Sequence, residues 1–494
     1  MNPEAGPVDP IAATPATDRA YAWLWVVLAA SLALRVYLVL AGGQFYWPDE
    51  NRFSHARGAV AAFFAGDVGA GAREIYGPEH LFFKVVALLP ATAERLTGPR
   101  RPVAGLFFCV WSVVCLWLVW RIAIRSGASA REALTAACLL AAATTFVYWA
   151  RHLMPYDLAM AFGLGAVLAG IRPSFRGQSL SCGMLAGCAF MTYAGYWTLG
   201  GVAVAIHASL APSVRTAVRR LVLGGIGVLL PLGVASLPSH GYLVVTILAF
   251  SKSITQGRYE EGWSLPFEYL WHAEHAIVVF WLVALVAAVW HARRGPVSPQ
   301  LRIGLIGVVC IYGALAVCST GLHRFVVYGR LARQLVPFFC LVAAHEIERL
   351  RTAPSRGLRL AAPVVLTLVA LQAAFNLRVP LTQVFPEEFR EHGAARVGGM
   401  GEDEYAWVNA EHIYPEPRAL SLAGSQTLLE ARHPLTYLPF QYEGYTPEQR
   451  SALRRADLTM RLVTVRSPAQ DAAPGTTNRR SEDRLDAGRE GGRD

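Results

Sequence analysis

The stretch "AWLWVVLAASLALRVYLVLAGG", residues 22–43, runs almost directly into "FYWPDENRFSH", residues 45–55. In the first part a single charge, Arg35, interrupts an apolar run long enough to cross a bilayer, for which about 20 residues suffice. The second part breaks at Pro48 and sets two carboxylates, Asp49 and Glu50, at the mouth of that run. Carboxylates at the edge of a bilayer are costly. Those that persist face a cavity, pair with a cation or do chemistry.

Composition extends this reading to the whole chain. Of 494 residues, 54% are hydrophobic and only 16% charged, and the mean hydropathy is +0.35. A soluble domain of average make-up is more polar. This is the composition of an all-α polytopic membrane protein. The net charge of +10 would suggest nucleic acid in a soluble chain, but here the arginines fall between apolar runs, where they fix orientation. No nucleic-acid partner is implied. All eight cysteines lie inside apolar runs without metal spacing, so they read as small apolar core residues. The N-terminal segment has no basic n-region, and the first apolar run is expected to stay as an anchor.

Apolar runs near 22–41, 103–121, 133–149, 156–171, 180–195, 197–210, 220–237, 274–291, 301–318, 331–347 and 358–376 predict about eleven transmembrane helices. The basic connections alternate along the chain: Arg121, Arg125 and Arg131; Arg172 and Arg176; Arg215, Arg219 and Arg220; Arg293, Arg294 and Arg302; Arg349, Arg351, Arg356 and Arg359. That parity puts them in the cytoplasm together with residues 1–21. It also requires 81–96, "LFFKVVALLPATAERL", to lie at the interface as an amphipathic helix carrying Lys84 and Glu94. Residues 42–102 then form one outer loop, and Asp49, Glu50 and Asp157 share the extracytoplasmic face with the chain after 376.

Position alone leaves two roles open for these carboxylates. Asp49 and Glu50 could favour the positive end of a helix starting in "PDENRF", and Asp157, just after Pro155, could cap its own helix. His55 sits within reach of Asp49 and Arg52. Glu79 and His80 are too few to argue a metal, so no cofactor is assigned and a divalent metal is left open. In "SITQGRYEEGWSLPFEYLW", Trp263, Tyr269 and Trp271 read as an interfacial aromatic belt. Arg35 is expected near the outer end of its helix or against an internal partner.

With these residues in view, "LRVYLVLAGGQFYWPDENRF" resembles the first helix and loop of the GT-C superfamily, integral-membrane glycosyltransferases such as the aminoarabinose transferases, protein O-mannosyltransferases and GPI mannosyltransferases. "YGPEHLFFKVVALLPA" is similar to the second juxtamembrane helix, without the double proline common in relatives. "YWARHLMPYDLAMAFGLGAVLAG" resembles the second outer loop and fourth helix. "SCGMLAGCAFMTYAGYWTLGGVAVAI" resembles the Gly-rich paired short helices, and "YGRLARQLVPFFCLVAA" a late helix preceded by arginines. The resemblance covers residues 22–347.

The resemblance implies a GT-C-like fold in residues 22–376 and transfer of a sugar from a polyprenyl-phosphate donor to a lipid, glycan or protein acceptor. The transfer would occur at the extracytoplasmic face of the plasma (inner) membrane, with inversion. By carry-over Asp49 is the base. Glu50 shares the proton, orients Asp49 or pairs with Arg52, and Asp157 positions acceptor or sugar. A leaving phosphate needs cations with planar donor forks: Arg330 and Arg333 first, then Arg324, Arg151 and Lys252. Interfacial snorkelling is the competing role for each.

A multi-pass transporter or lipid flippase is the alternative class. It predicts half-chain repeats with helices broken at matching depths, whereas this sequence has no internal repeat and its acidic residues cluster at one face. A non-catalytic envelope assembly protein is the third, excluded only by Asp49-dependent activity. Beyond the spans, residues 377–466 carry a capping-box signature at Thr446–Gln449 and strand-like runs "LTYLPFQY" and "MRLVTV", predicting a small extracytoplasmic α+β domain. Residues 467–494 lack the apolar content to fold.

Overall fold

The computed structural model describes residues 15–41, 52–76, 80–98, 101–171, 177–238, 263–322 and 329–382, and strand segments at 394–395, 406–407, 426–430 and 461–465. The helices are α1 (Pro15–Ala41), α2 (Arg52–Phe64), α3 (Val68–Tyr76), α4 (Leu81–Thr97), α5 (Arg101–Arg125), α6 (Ala130–Ala142), α7 (Thr144–Tyr148), α8 (Tyr156–Gly170), α9 (Gln178–Thr192), α10 (Trp197–Ser209) and α11 (Val214–Ser236). After these come α12 (Leu265–Glu274), α13 (Ala276–Ala292), α14 (Pro299–Ala316), α15 (Gly329–Ala332), α16 (Val336–Thr352) and α17 (Arg356–Thr382). Among the described residues five stretches are long and apolar enough to cross a membrane: Arg19–Leu40, Pro102–Arg125, Val214–Ser236, Pro299–Gly321 and Arg356–Arg378. Shorter apolar helices stand at Tyr156–Gly170 and Ala276–Ala292.

The central helix is α16, which packs against α6, α13, α14 and α17 and buries every residue from Val336 to Ala344. Its continuous apolar surface matches that position, since a helix hydrophobic all round must be covered all round. Glycine does the same job for α9 and α11. A Cβ on Gly187 would stand 2.6 Å from the Val228 carbonyl oxygen, and one on Gly227 2.5 Å from that of Leu180. The backbones touch through the "GMLAG" of α9, the small-residue spacing that lets membrane helices approach closely.

The predicted helix over 133–149 is interrupted. α6 stops at Ala142, and α7 starts afresh with its first amides held by a carboxylate from a distant helix, Glu274. Its Oε2 accepts from Thr144 N–H at 3.0 Å and its Oε1 from Thr145 N–H at 2.8 Å. Glu274 is in turn tied to α17, because Asn376 donates to its carbonyl at 3.0 Å. No local signal in residues 133–149 announces a break whose cap lies 130 residues away.

The segment between α1 and α5 holds three helices where two were expected, the extra one being α3. A core of Phe53, Phe83, Ala87 and Phe108 joins α2 and α4 to α5. The amphipathic reading of α4 misplaces its charges: Lys84 and Glu94 are both buried. Glu94 pairs with Arg57 at 3.4 Å, and Lys84 donates to the Glu74 carbonyl at 3.3 Å. Both charges face α2 and α3, so they tie the three helices together.

Cross-contacts sort the bundle into two ends. At one end Tyr21 meets Trp120 edge-on at 4.9 Å, His345 pairs with Glu132 at 2.8 Å and His291 with Glu346 at 3.2 Å. The connections α5–α6, α13–α14 and α16–α17, with Arg125, Arg131, Arg293, Arg294, Arg349 and Arg351, lie there. Four cysteines, Cys109, Cys115, Cys182 and Cys340, are buried as expected, whereas Cys138 and Cys310 are exposed on helix faces turned away from the core. In the tail the strand predicted in "MRLVTV" is β4 (Arg461–Val465), paired antiparallel with β3 (Gln426–Glu430); β1 (Ala394–Ala395) pairs with β2 (Ala406–Trp407). Thr446–Gln449, "LTYLPFQY" and residues 467–494 lie outside the described residues.

Candidate active site

The other end of the bundle holds Asp157 and Arg333, two of the polar groups that the sequence singles out. Asp157 sits in the first turn of α8, and Arg333 in the 3-10 turn Arg333–Leu335 that leads into α16. They form an ion pair at 2.5 Å, with Arg333 fully buried and the Asp157 side chain 7% exposed. So Asp157 is not simply a helix cap; its carboxylate is spent on a cation from a distant segment. Arg333 donates to it through Nη2 only. The N–H groups on Nε and Nη1 are buried with no hydrogen-bond partner among the described residues, although a buried guanidinium normally satisfies its donors.

Phe146 of α7 stands between two buried arginines. Its ring lies under Arg333, with the guanidinium carbon 4.4 Å from the ring centroid. Its carbonyl accepts from Arg35 Nη2 at 3.3 Å and from the Ser112 hydroxyl at 3.0 Å. Arg35 completes its shell with Ser112 Oγ at 2.7 Å and the Ser31 carbonyl at 3.0 Å. The internal partner expected for Arg35 is therefore this serine and carbonyl set, held in place by the α7 turn that Glu274 caps.

Aromatic side chains continue the site towards the start of α4. Trp149 meets Tyr156 edge-on at 5.0 Å, Tyr156 meets Tyr193 at 4.9 Å, and Tyr193 stacks on His80 at 5.1 Å. His80 adopts a left-handed backbone, φ 54°, and its Nδ1 lies 3.1 Å from the Thr192 carbonyl. Gln334, beside Arg333, locks the turn to α10: it accepts from Thr198 Oγ1 at 2.7 Å and from Leu199 N–H at 3.2 Å, and donates to the Gly195 carbonyl at 3.2 Å. A left-handed backbone at His80 and a glutamine with three hydrogen bonds fit a site held in one geometry.

The predicted residues fare differently. Asp157 and Arg333, proposed for separate roles, are brought together. His55 Nδ1 lies 2.8 Å from Glu74 of α3, both half-exposed. Arg330 lies in α15 and Arg151 in the turn Trp149–Arg151, with side chains outside the described residues. Asp49, Glu50, Arg324 and Lys252 are outside them altogether. Of the aromatic belt, Trp263 and Trp271 are exposed, as a belt requires, but Tyr269 is buried core. Sequence reasoning missed Glu274, Phe146 and Gln334; an ionisable residue in an apolar run, as Glu274 is, was the one available signal. Among the described residues no group of three or more His, Cys, Asp or Glu is placed to hold a metal ion.

No family model matches the chain, and no curated protein matches it by sequence. Solved structures do. ArnT from Cupriavidus metallidurans in the apo state superimposes with TM-score 0.50 at 19% identity, covering 76% of this chain and 68% of that one. The likeness is one of fold: the chain shares the helical arrangement of that protein. The same ArnT bound to undecaprenyl phosphate gives 0.47, at 19% identity over 77% of this chain and 69% of that one. The archaeal oligosaccharyltransferase AglB from Archaeoglobus fulgidus, in complex with an inhibitory peptide and a dolichol-phosphate, gives 0.45 at 10% identity over 74% and 56%.

Proposed function

We propose that the chain is an inverting glycosyltransferase that moves a hexosyl or pentosyl unit from a polyprenyl-phosphate donor to a lipid, glycan or protein acceptor. The reaction would take place at the extracytoplasmic face of the inner membrane. About eleven spans, a cytoplasmic N-terminus and a small extracytoplasmic α+β domain after α17 belong to the same proposal.

One observation carries it: a fully buried arginine, Arg333, is held by Asp157 yet keeps the donors of Nε and Nη1 without a partner among the described residues. The pair lies at the end of the bundle where α1 runs into the segment bearing Asp49 and Glu50. A cation so placed suits a phosphate oxygen, since guanidinium donors match phosphate geometry and a water-poor setting strengthens their hold on developing charge. The GT-C fold, and the binding of undecaprenyl phosphate by ArnT, fit that use.

In the reaction the acceptor oxygen or nitrogen attacks the anomeric carbon from the face opposite the phosphate. The bond from that carbon to the phosphate oxygen breaks, and its electron pair leaves with the polyprenyl phosphate. Asp49 takes the acceptor proton, Glu50 orients it, and Asp157 both fixes Arg333 and neutralises it when the phosphate is absent. Arg330, Arg324, Arg151 and Lys252 are the further cations available to the leaving phosphate.

Purified full-length protein incubated with a panel of polyprenyl-phosphate sugars and membrane extracts should release polyprenyl phosphate and label an acceptor. Lipid scrambling in proteoliposomes without any release would overturn the reading in favour of a flippase.

A further inference from the structure

At the opposite, arginine-rich end of the bundle, a crevice of about 950 Å³ opens between α1, α6, the C-terminal end of α16 and α17. Trp23, Leu134, Leu139, Leu366 and Val369 are among its apolar walls. Arg19, Arg131 and Arg351 stand at its rim, and no acidic residue lines it. Along α6 the lining runs from Arg131 to Ala142, a drop of about 16 Å at 1.5 Å per residue. The basic mouth of the crevice at Arg131 lies the length of α6 from the site described above, whose Phe146 follows the far end of that helix.

Two of the three cations are left over by the protein's own pairing. Arg351 is shared: it pairs with Glu348 at 3.4 Å and reaches Thr135 Oγ1 at 3.4 Å. Arg19 and Arg131 have no ion-pair partner among the described residues. A solvated basic face needs no apolar shaft beneath it, and an apolar groove facing lipid tails needs no converging arginines above it. The two together fit one kind of molecule, with an anionic head and a hydrocarbon chain.

We propose that this crevice binds an anionic phospholipid of the leaflet at the basic end, its phosphate between Arg19, Arg131 and Arg351 and one chain along Leu134, Leu139 and Leu366. Charge complementarity sets the choice, because basic pockets between membrane helices select anionic head groups, and the depth accommodates the upper half of an acyl chain. Cys138, exposed on α6 and part of the wall, faces the chain. A lipid seated there joins α1 to α17, the N-terminal and last helices of the bundle.

The test is lipid retention by full-length protein, which reads the same whether or not the chain transfers sugar. Protein purified from nanodiscs of phosphatidylglycerol with phosphatidylcholine is exchanged into detergent, and the lipids still bound are counted by native mass spectrometry. Wild type should keep one phosphatidylglycerol in preference to phosphatidylcholine. The double variant Arg131→Gln with Arg351→Gln should lose that preference by roughly tenfold or more, as two removed cations near a phosphate imply. Cys138→Trp, which fills the shaft and leaves the arginines, should also abolish retention.

Retention that survives Cys138→Trp, or that inorganic phosphate displaces at millimolar concentration, would reduce the site to a bare anion site and overturn the lipid. Equal retention of both lipids would overturn the head-group role. Retention seen only after residues 1–14 are deleted would show that the chain's own N-terminal segment fills the crevice.

Discussion

Arg333 and Asp157, 176 residues apart in sequence, meet in the interior at 2.5 Å, and the pair couples α8 to the turn before α16. Breaking a buried pair strands one charge, which costs about 3–5 kcal/mol. Arg333→Ala and Asp157→Leu should therefore each lower thermal stability strongly, whereas Arg333→Met combined with Asp157→Leu should recover most of it. Thermal unfolding in one detergent separates these outcomes. Donor binding should stay lost in the stable double variant; a donor that still binds it normally would remove Arg333 from the phosphate site.

Arg333→Lys keeps the charge but not the planar fork. Stability should fall less than in Arg333→Ala, while affinity for the polyprenyl-phosphate sugar recovers only in part. Titration of donor against both variants checks this. Full recovery with lysine would mean that only the charge matters.

Glu274 is the group on which the α6–α7 break depends, since it alone receives the Thr144 and Thr145 amides. Glu274→Ala leaves two buried N–H groups unsatisfied, at about 1–3 kcal/mol each, and loosens Phe146, which touches both Arg333 and Arg35. Unfolding temperature and transfer rate should fall together. Glu274→Gln, which retains one acceptor oxygen, should lie between the variant and wild type.

The sequence makes the membrane class and the order of the helices readable because apolar run length is a local property, and the close approach of α9 to α11 is foreshadowed by the glycines of "SCGMLAG". The sites of Asp157 and Arg333 stand out as ionisable groups beside apolar runs. Their pairing does not, because nothing in "PYDLAM" or "RLARQL" says which distant segment each will meet. The same holds for Glu274, whose task is to cap a helix far away in the chain, and for Lys84 and Glu94, which alternate like a solvated face but turn inward onto α2 and α3.

Topology follows from the arginine-rich end. A reporter fused after Arg125 or Arg294 should read cytoplasmic. One fused after Thr382, the end of α17, should read outside. A cytoplasmic reading there would change the span count by one and withdraw the extracytoplasmic tail domain, and would leave the Asp157–Arg333 site as it is.

The measurement that reaches the central claim is sugar transfer by purified Asp49→Asn protein from its polyprenyl-phosphate donor, taken with its thermal unfolding. If Asp49 accepts the acceptor proton, the chemical step should fall by about 10²–10⁴-fold while donor binding and unfolding temperature hold. If Asp49 only caps a helix, asparagine serves about as well, and near-normal transfer would contradict the account.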